Sequence, residues 1–408
     1  MEKTLGQDDT STNSTLRMQT IRTVEDLAAI APAWDRLFAL AGNATPALHR
    51  QWIINWWEAF GPEYGRTNDP LSVICIWRGK DLVGMLPLYW RRPKRLGDGG
   101  FRLCFIGTGE SERDEICPDY LDLLCLDEAA GTCAELTWRR LCDDREQAYD
   151  RLELCDMPDD SAMVQWARQN GQQHHLEISP RGACPIADLA GGFEAYLAGL
   201  SANGRQQGRK LLRQAEAAGV CFEVAQTPEE AEVFFGEMVE LHQRRWQAVG
   251  EPGCFSSAPF TAFHRQLIRQ WQPSGQAILS RLRLGGRTLA VKYGFRVGVK
   301  YDFYQSGVQC EDAPGVKSPG IVSFLLLMRH LSEHGVQTFD FLRGSSQYKQ
   351  RLATTAQPLL RVRRVRWTWR TALSLIADLG IRGLRKLLRG VFRATKNKRD
   401  GRNHGGAE

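Results

Sequence analysis

Residues 339–352, FDFLRGSSQYKQRL, bring an acid, an Arg-Gly-Ser-Ser corner and a Tyr-Lys pair into one short stretch. Lys349, on a short helix, offers an ammonium that can neutralise an oxyanion or hold an anionic group of a substrate; a solvated helix lysine is the plain alternative. Tyr348 is either a proton donor to a leaving group or a ring packed beneath the loop. Asp340 alternates with Phe339 and Phe341 along an apolar strand, so its carboxylate faces away from both rings. It reads as an anchor that orients Arg343 or Lys349 rather than as a base, which would need a raised pKa. Gly344 permits a tight corner.

Further candidates lie upstream. In APGVKSPGI a Gly-rich loop leads into a helix, and Gly315, Lys317, Ser318 and Gly320 stand where free first-turn amides can hold a phosphate. Pro319 removes one such donor, and an ordinary helix start, with Ser318 as cap and Pro319 in the first turn, accounts for the same residues. Arg205, Arg209 and Arg213 recur at i, i+4 and i+8 beside Lys210, which suits either a diphosphate or a solvated helix face. His242, with Arg245 and Trp246 after it, has a side chain whose ordinary pKa of about 6.5 suits a base, although a lone helix histidine is commonly a surface residue. Tyr301, Asp302 and Tyr304 lie on a strand that lines a substrate groove or is a half-buried edge.

The elements that must position these groups follow from periodicity. TVEDLAAIAPAWDRLFALAG and HRQWIINWWEAFG read as helices, and LSVICIWRGKDLVGMLPLYWR as a hairpin around Gly79-Lys80. Strands are expected at FRLCFIG, YLDLLCL and YDRLELCDM, with a helix in EAAGTCAELTWRRLCDD before the last. A long helical stretch, residues 192–248, follows. The second half then repeats the plan: a hairpin in QAILSRLRLGGRTLAVKYGFRVG, the strand KYDFYQSGV, a helix in SPGIVSFLLLMRHLSEHG, the strand VQTFDFL, a short helix in SSQYKQRL and the strand LLRVRRVRW. Hairpin, strand, helix, strand is an α/β plan in both halves.

At 408 residues the chain is long enough for two domains, and 43% apolar with 25% charged residues is a globular composition. The formal charge of +6 is uneven: residues 361–408 carry fourteen Lys and Arg against three acids, and removing that +11 leaves about −5 for the rest. A nucleic-acid reader normally has its positive patch on the fold, so nucleic acid is not the expected partner. Eleven scattered cysteines without a C-x-x-C pair suggest reduced thiols and no metal site. The N-terminus lacks an apolar run, so residues 1–19 read as disordered rather than as a signal peptide.

Three stretches in order, GRQQGRKLLRQAEAAGVCFEV, LHQRRWQAVGEPGCF and DAPGVKSPGIVSFLLLMRHLSEHGVQTFDFLRGSSQYKQRLA, resemble the CelD-type acyltransferases of bacterial cellulose and exopolysaccharide synthesis. These are a branch of the GNAT superfamily related to the Fem-type aminoacyl transferases. With NWWEAFG and GKDLVGMLPL the resemblance spans roughly residues 20–365. It implies two tandem GNAT-like units, each a mixed, mostly antiparallel sheet flanked by helices. It further implies transfer of an acyl group from a thioester, or in the Fem branch from an aminoacyl ester of tRNA, to an amine or hydroxyl; acyl-CoA (acetyl-CoA) as donor, a small or lipid-linked sugar as acceptor and no metal are the expectation. Tyr348-Lys349 is similar to the Fem branch's Phe-Lys pair, whose lysine is implicated in catalysis, and His242, Arg245 and Trp246 resemble a family cluster. The usual GNAT pattern for the cofactor pyrophosphate, Gln or Arg followed by two spaced glycines, is not cleanly present. A Fem-like transfer from charged tRNA and a non-catalytic scaffold are the alternatives.

The domain plan is then a first unit at 20–190, a second at 191–367 containing the helical arm, and a basic amphipathic tail at 368–408. In that tail Leu373, Ile376, Leu384, Leu387 and Val391 interleave with Arg382, Arg385, Lys386, Arg389 and Arg393. It suits the plane of an anionic membrane, or packing on its own domain. A cytoplasmic protein, held at the inner membrane face if the tail docks there, is the expectation.

Overall fold

The computed structural model describes residues 16–93, 100–143, 148–309, 315–344 and 346–372. The first half runs β1 (Leu16–Ile21), α1 (Val24–Ala29), α2 (Ala31–Leu40), α3 (Arg50–Tyr64), β2 (Val73–Arg78), β3 (Asp81–Leu86), β4 (Leu88–Arg91) and β5 (Arg102–Phe105). It continues with β6 (Leu124–Cys125), α4 (Ala130–Cys142), β7 (Arg151–Pro158), α5 (Ala162–Asn170) and β8 (Leu176–Asp188). The second half has α6 (Phe193–Gly199), α7 (Ala202–Ala217), β9 (Cys221–Val224), α8 (Pro228–Ala248) and α9 (Ala258–Trp271). Then come β10 (Ala277–Leu284), β11 (Arg287–Val297), β12 (Lys300–Val308), α10 (Pro319–Glu333), β13 (Thr338–Asp340), α11 (Gln347–Leu352) and β14 (Thr355–Val365).

Among the described residues two sheets form, one in the order β1-β2-β3-β6 and one of ten strands in the order β4-β5-β7-β14-β8-β13-β12-β11-β10-β9. Pairing among the described residues is antiparallel except for two parallel pairs, β5 with β7 and β12 with β13. Each parallel pair needs a crossover, and a helix supplies it in both halves, α4 before β7 and α10 before β13. This recurrence is the physical form of the repeated plan in the sequence. The closing strand β14 lies between β7 and β8, so both halves contribute to one continuous sheet.

The hairpins turn where glycines reach positive φ, at Gly79 (61°) and at Gly285 and Gly286 (53° and 83°). Three elements differ from expectation. The strand read in YLDLLCL shrinks to Leu124–Cys125 because the preceding residues run irregularly into the centre of the molecule. β9 interrupts the helical stretch expected at 192–248. β8 escapes the periodicity because Pro180, Gly182 and Pro185 break its pattern; its register with β14 shifts opposite Gly182 and Pro180. β1 begins inside the segment expected to be disordered, while residues 1–15 and the tail from residue 373 lie outside the described residues.

The main core joins the halves. Trp52 of α3 packs edge-on against Phe263 of α9 and Phe295 of β11, with ring centroids 5.1 and 5.4 Å apart. A second core under α10 holds Phe303, Phe324, Phe339 and Phe341. Each such buried ring contributes about 1.5–3 kcal/mol relative to exposure.

Candidate active site

β12 and β13 pair only from Lys300–Asp302 to Thr338–Asp340. Beyond that point β12 runs on to Val308 while β13 stops, so the strands part like a fork. In the same place the register of β12 against β11 shifts by one residue, leaving Tyr304 as a bulge between Phe303 and Gln305. Bulges re-aim the groups around them, and here the bulge adjoins the open edge of β12. Phe303 and Phe324 meet edge-on at 4.7 Å, and the Tyr348 ring stacks on Phe324 at 5.2 Å. Tyr348 therefore packs as a ring; burial pushes its hydroxyl up to about 12 despite the nearby Arg245 charge.

α10 begins at the fork. Ser318 occupies its N-cap place with φ of 52°, in the left-handed region, and makes no capping bond, so an ordinary capped start is not what the chain adopts. Gly315 has φ of 77°, Lys317 is exposed, and Gly320 packs against Val308. A cleft of ≈580 Å³ opens beside this helix start, lined by Ser201, Gly204, Gly208, Ser318, Ile321 and Gln350. Arg205 and Arg209 are engaged elsewhere. The Arg205 guanidinium donates to the carbonyls of Ala198 (2.8 Å) and Leu200 (3.3 Å) at the end of α6, and Arg209 pairs with exposed Glu194 at 3.6 Å.

The corner after β13 is held from several sides. The Lys349 ammonium donates to the carbonyls of Phe341 (2.7 Å), Leu342 (3.1 Å) and Arg343 (3.0 Å). All three protons are thus engaged, and in this geometry Lys349 braces the corner instead of facing an oxyanion; burial pulls its pKa down. Asp340, fully buried, accepts from the Tyr120 hydroxyl, from the Leu342 amide (2.7 Å) and from Lys300 (2.9 Å). It is an anchor, but its partners are Lys300 and Tyr120, not Arg343 or Lys349. Burial alone would lower the Lys300 ammonium, yet Asp302 and Asp340 beside it hold it above its ordinary value.

Arg343 pairs with Asp156 of β7 and its amide donates to Asp119 at 2.7 Å. Burial pushes Asp119 up to about 7 against the pull of Arg343. Arg181 reaches the same Asp156 at 3.2 Å. Tyr120, Asp156 and Leu342 all sit at positive φ (64°, 60° and 54°), a concentration of backbone strain at the junction of the two halves. Arg343 and Arg181 also border, with Gly344, a second cleft of ≈760 Å³, which shares Gln350 and Thr354 with the first.

On α8 the His242 ring is buried, its Nδ1 is 3.1 Å from Gln243 Oε1, and burial lowers its pKa. Arg245 and Trp246, one turn on, are exposed. The Tyr304 hydroxyl donates to the Ile116 carbonyl and lies 3.0 Å from His264 Nε2, so it ties the first half to the second. Tyr348, Lys349, Asp340 and Arg343 thus gather at the corner, whereas Arg205 and Arg209 stand apart from it. Lys300, Tyr120, Asp119 and Asp156 were not singled out from the sequence. Lys300 and Asp302, two apart on one strand, share a face and are a pair that spacing can reveal. Lys292, alone in the apolar run TLAVKYGF, is a similar signal: it is 1% exposed, with its ammonium 3.7 Å from the Phe324 centroid. Among the described residues no group of three His, Cys, Asp or Glu side chains is placed to hold a metal.

Residues 202–350 match the family model described as an acetyltransferase (GNAT) domain. No curated protein matches the chain. Among solved structures, FemX is 12% identical, with 82% of this chain and 96% of that one covered at a TM-score of 0.57. A conserved protein of unknown function from Bacteroides thetaiotaomicron is 9% identical over 86% of this chain and 100% of that one, TM-score 0.52. The C-terminal domain of a putative lysylphosphatidylglycerol synthetase from Agrobacterium fabrum is 12% identical over 87% and 96%, TM-score 0.49. At such identities the likeness is one of fold. The fork, its crossover helix and the corner all fall within or beside the residues that match the acetyltransferase (GNAT) domain model, in a chain whose two halves repeat a mixed α/β plan of sheet flanked by helices.

Proposed function

We propose that this protein moves an acyl group, acetyl in the simplest case, from acyl-CoA to an amine or hydroxyl of a surface-polysaccharide precursor. The observation that carries the reading is the open fork between β12 and β13, lying inside the residues that match the acetyltransferase domain. The residues present suit the donor: at the uncapped start of α10 the Ile321 and Val322 amides bond the Ser318 carbonyl, leaving the Gly320 amide in the first turn for an anionic group, and the cleft beside it is apolar on its Ile321 and Leu325 side. The donor supplies an acyl carbon already activated as a thioester.

The chain's own groups supply the rest. His242, which burial keeps neutral, takes the proton of the attacking group through its imidazole. Tyr348 stays protonated at neutral pH, its ring stacked on Phe324 beside the fork. Lys349, Asp340 and Lys300 hold the corner on which Tyr348 is mounted. The polysaccharide acceptor is supported by the CelD-like stretches quoted above, and a charged-tRNA donor is disfavoured by the net charge of about −5 on residues 1–360. A site of action at the inner membrane face would rest on the basic tail, since no described helix is long and apolar enough to cross a bilayer. Mass spectrometry of lipid-linked sugars after incubation with the protein and mixed acyl-CoAs tests the acceptor. An acylated sugar is expected, and unchanged sugars beside acylated peptidoglycan precursors would overturn it.

A further inference from the structure

The turn between α8 and α9 sets beside His242 a thiol that direct transfer does not use. Cys254 opens a short 3₁₀ turn, Cys254–Ser256, and its Sγ lies 3.6 Å from His242 Nε2. The other imidazole nitrogen, Nδ1, is 3.1 Å from Gln243 Oε1. That amide cannot be reversed without loss, because Gln243 Nε2 donates to the Pro252 carbonyl at 2.8 Å. Oε1 therefore faces the ring, Nδ1 carries the proton, and Nε2 presents its lone pair to the thiol. Gly253, at φ of 69°, makes room for this: a Cβ there would stand 2.3 Å from Gln243 Oε1.

A second glutamine is fixed in the same manner. Gln305 Oε1 accepts from the Ser306 amide at 2.9 Å, which turns Nε2 toward Cys254 Sγ at 3.5 Å. The backbone amides of Cys254 and Phe255 lie where they favour a charged sulfur. The thiol thus has a base on one side and hydrogen-bond donors on the others, as a nucleophile needs. Gln305 stands just past the last β12–β13 pair, on the open edge of the fork. The turn is held from the first half by Arg113, which donates to the Ser256 carbonyl, and by Asp114, which accepts from the Ser257 hydroxyl at 2.7 Å.

We propose that Cys254 is a nucleophile that takes the acyl group from the thioester donor and passes it to the acceptor, with His242 as its base and Gln243, Gln305 and Gly253 positioning the pair. The proposal rests on the acyl-thioester reading above. The Cys254 proton passes to His242 Nε2 as the sulfur attacks the thioester carbonyl. The bond from that carbonyl to the donor sulfur breaks, and the donor leaves as a thiol with the proton from His242. The acceptor amine or hydroxyl then attacks the acyl-cysteine and gives its proton to His242. The bond to Cys254 breaks and the thiol regains its proton. Burial pushes the thiol up to about 12, so the resting cysteine is neutral and depends on the imidazole.

The test has two arms. The full chain is alkylated with iodoacetamide and each cysteine followed by peptide mass spectrometry. His242→Gln should slow Cys254 by roughly a hundredfold and leave exposed Cys221 unchanged; equal rates at Cys254 in both proteins overturn the proposal. In the second arm the protein is incubated with acetyl-CoA and no acceptor. One acetyl group, mapped to Cys254, removed by neutral hydroxylamine and absent in Cys254→Ala, is expected. Acetyl-CoA binding is measured by calorimetry on the same samples. A protein that binds the donor and acetylates acceptors at full rate as Cys254→Ala overturns the nucleophile and spares the acyltransferase reading. One that binds no donor overturns that reading, and the alkylation arm alone then decides whether the thiol is activated.

Discussion

Lys349 shows how a residue type can point to a place without revealing its role. Its spacing after Asp340 marks the corner correctly, but the three carbonyls of residues 341–343 lie together only because Leu342 takes a positive φ. No periodicity announces that. Lys349→Ala leaves the buried Phe341 carbonyl and the half-buried Leu342 and Arg343 carbonyls without their donor and should cost about 1–3 kcal/mol in thermal unfolding, with turnover falling in step. Lost turnover at an unchanged melting temperature would return the ammonium to the chemistry. The buried histidines give a pH signature. His264 is pushed down to about 3 and His49 to about 4, both chiefly by burial. The unfolded chain, with ordinary imidazoles, binds protons first as pH falls. Their contribution to stability is therefore complete above about 6.5 and is lost toward pH 4, by about 1.4 kcal/mol per pH unit for each. Denaturant melts of wild type and His264→Asn should show a shallower acid slope in the variant.

At the scale of elements, the hairpins, α4, α10 and β12 were legible because their apolar spacing survives in the sequence. β8 was not, since its prolines and glycine are tolerated only through the irregular register with β14. The fork itself was invisible: it arises from β13 ending at Asp340 while β12 continues, a relation between strands 38 residues apart. Lys292 belongs to this scale. It faces Phe303 and Phe324 across the core between β11 and α10, and burial, with Arg245 nearby, pulls it down to about 7. The fold prefers its neutral form, so stability due to this group is full only above the ordinary lysine range and is reduced at neutral pH. Lys292→Met should therefore raise stability at pH 7 by about 1–4 kcal/mol and have less effect at pH 10. Destabilisation at both pH values would mean that the amine has a partner in the folded chain.

For the whole molecule, the two units are joined by polar locks as well as by a shared sheet. Tyr120 and Asp119 come from the first half, Asp340, Lys300 and Arg343 from the second. Periodicity gave an α/β plan in both halves but not that β14 would return to pair with β7, because long-range strand order leaves no local trace. Tyr120→Phe removes one hydrogen bond to buried Asp340 and should lower stability by about 1–3 kcal/mol in chemical denaturation; an unchanged midpoint would mean the lock is idle. The central claim, that the fork receives an acyl thioester, is tested most directly by titrating the intact protein calorimetrically with acetyl-CoA and with free CoA. Saturable binding of both is predicted, and absence of heat at millimolar concentrations of either ligand would contradict it.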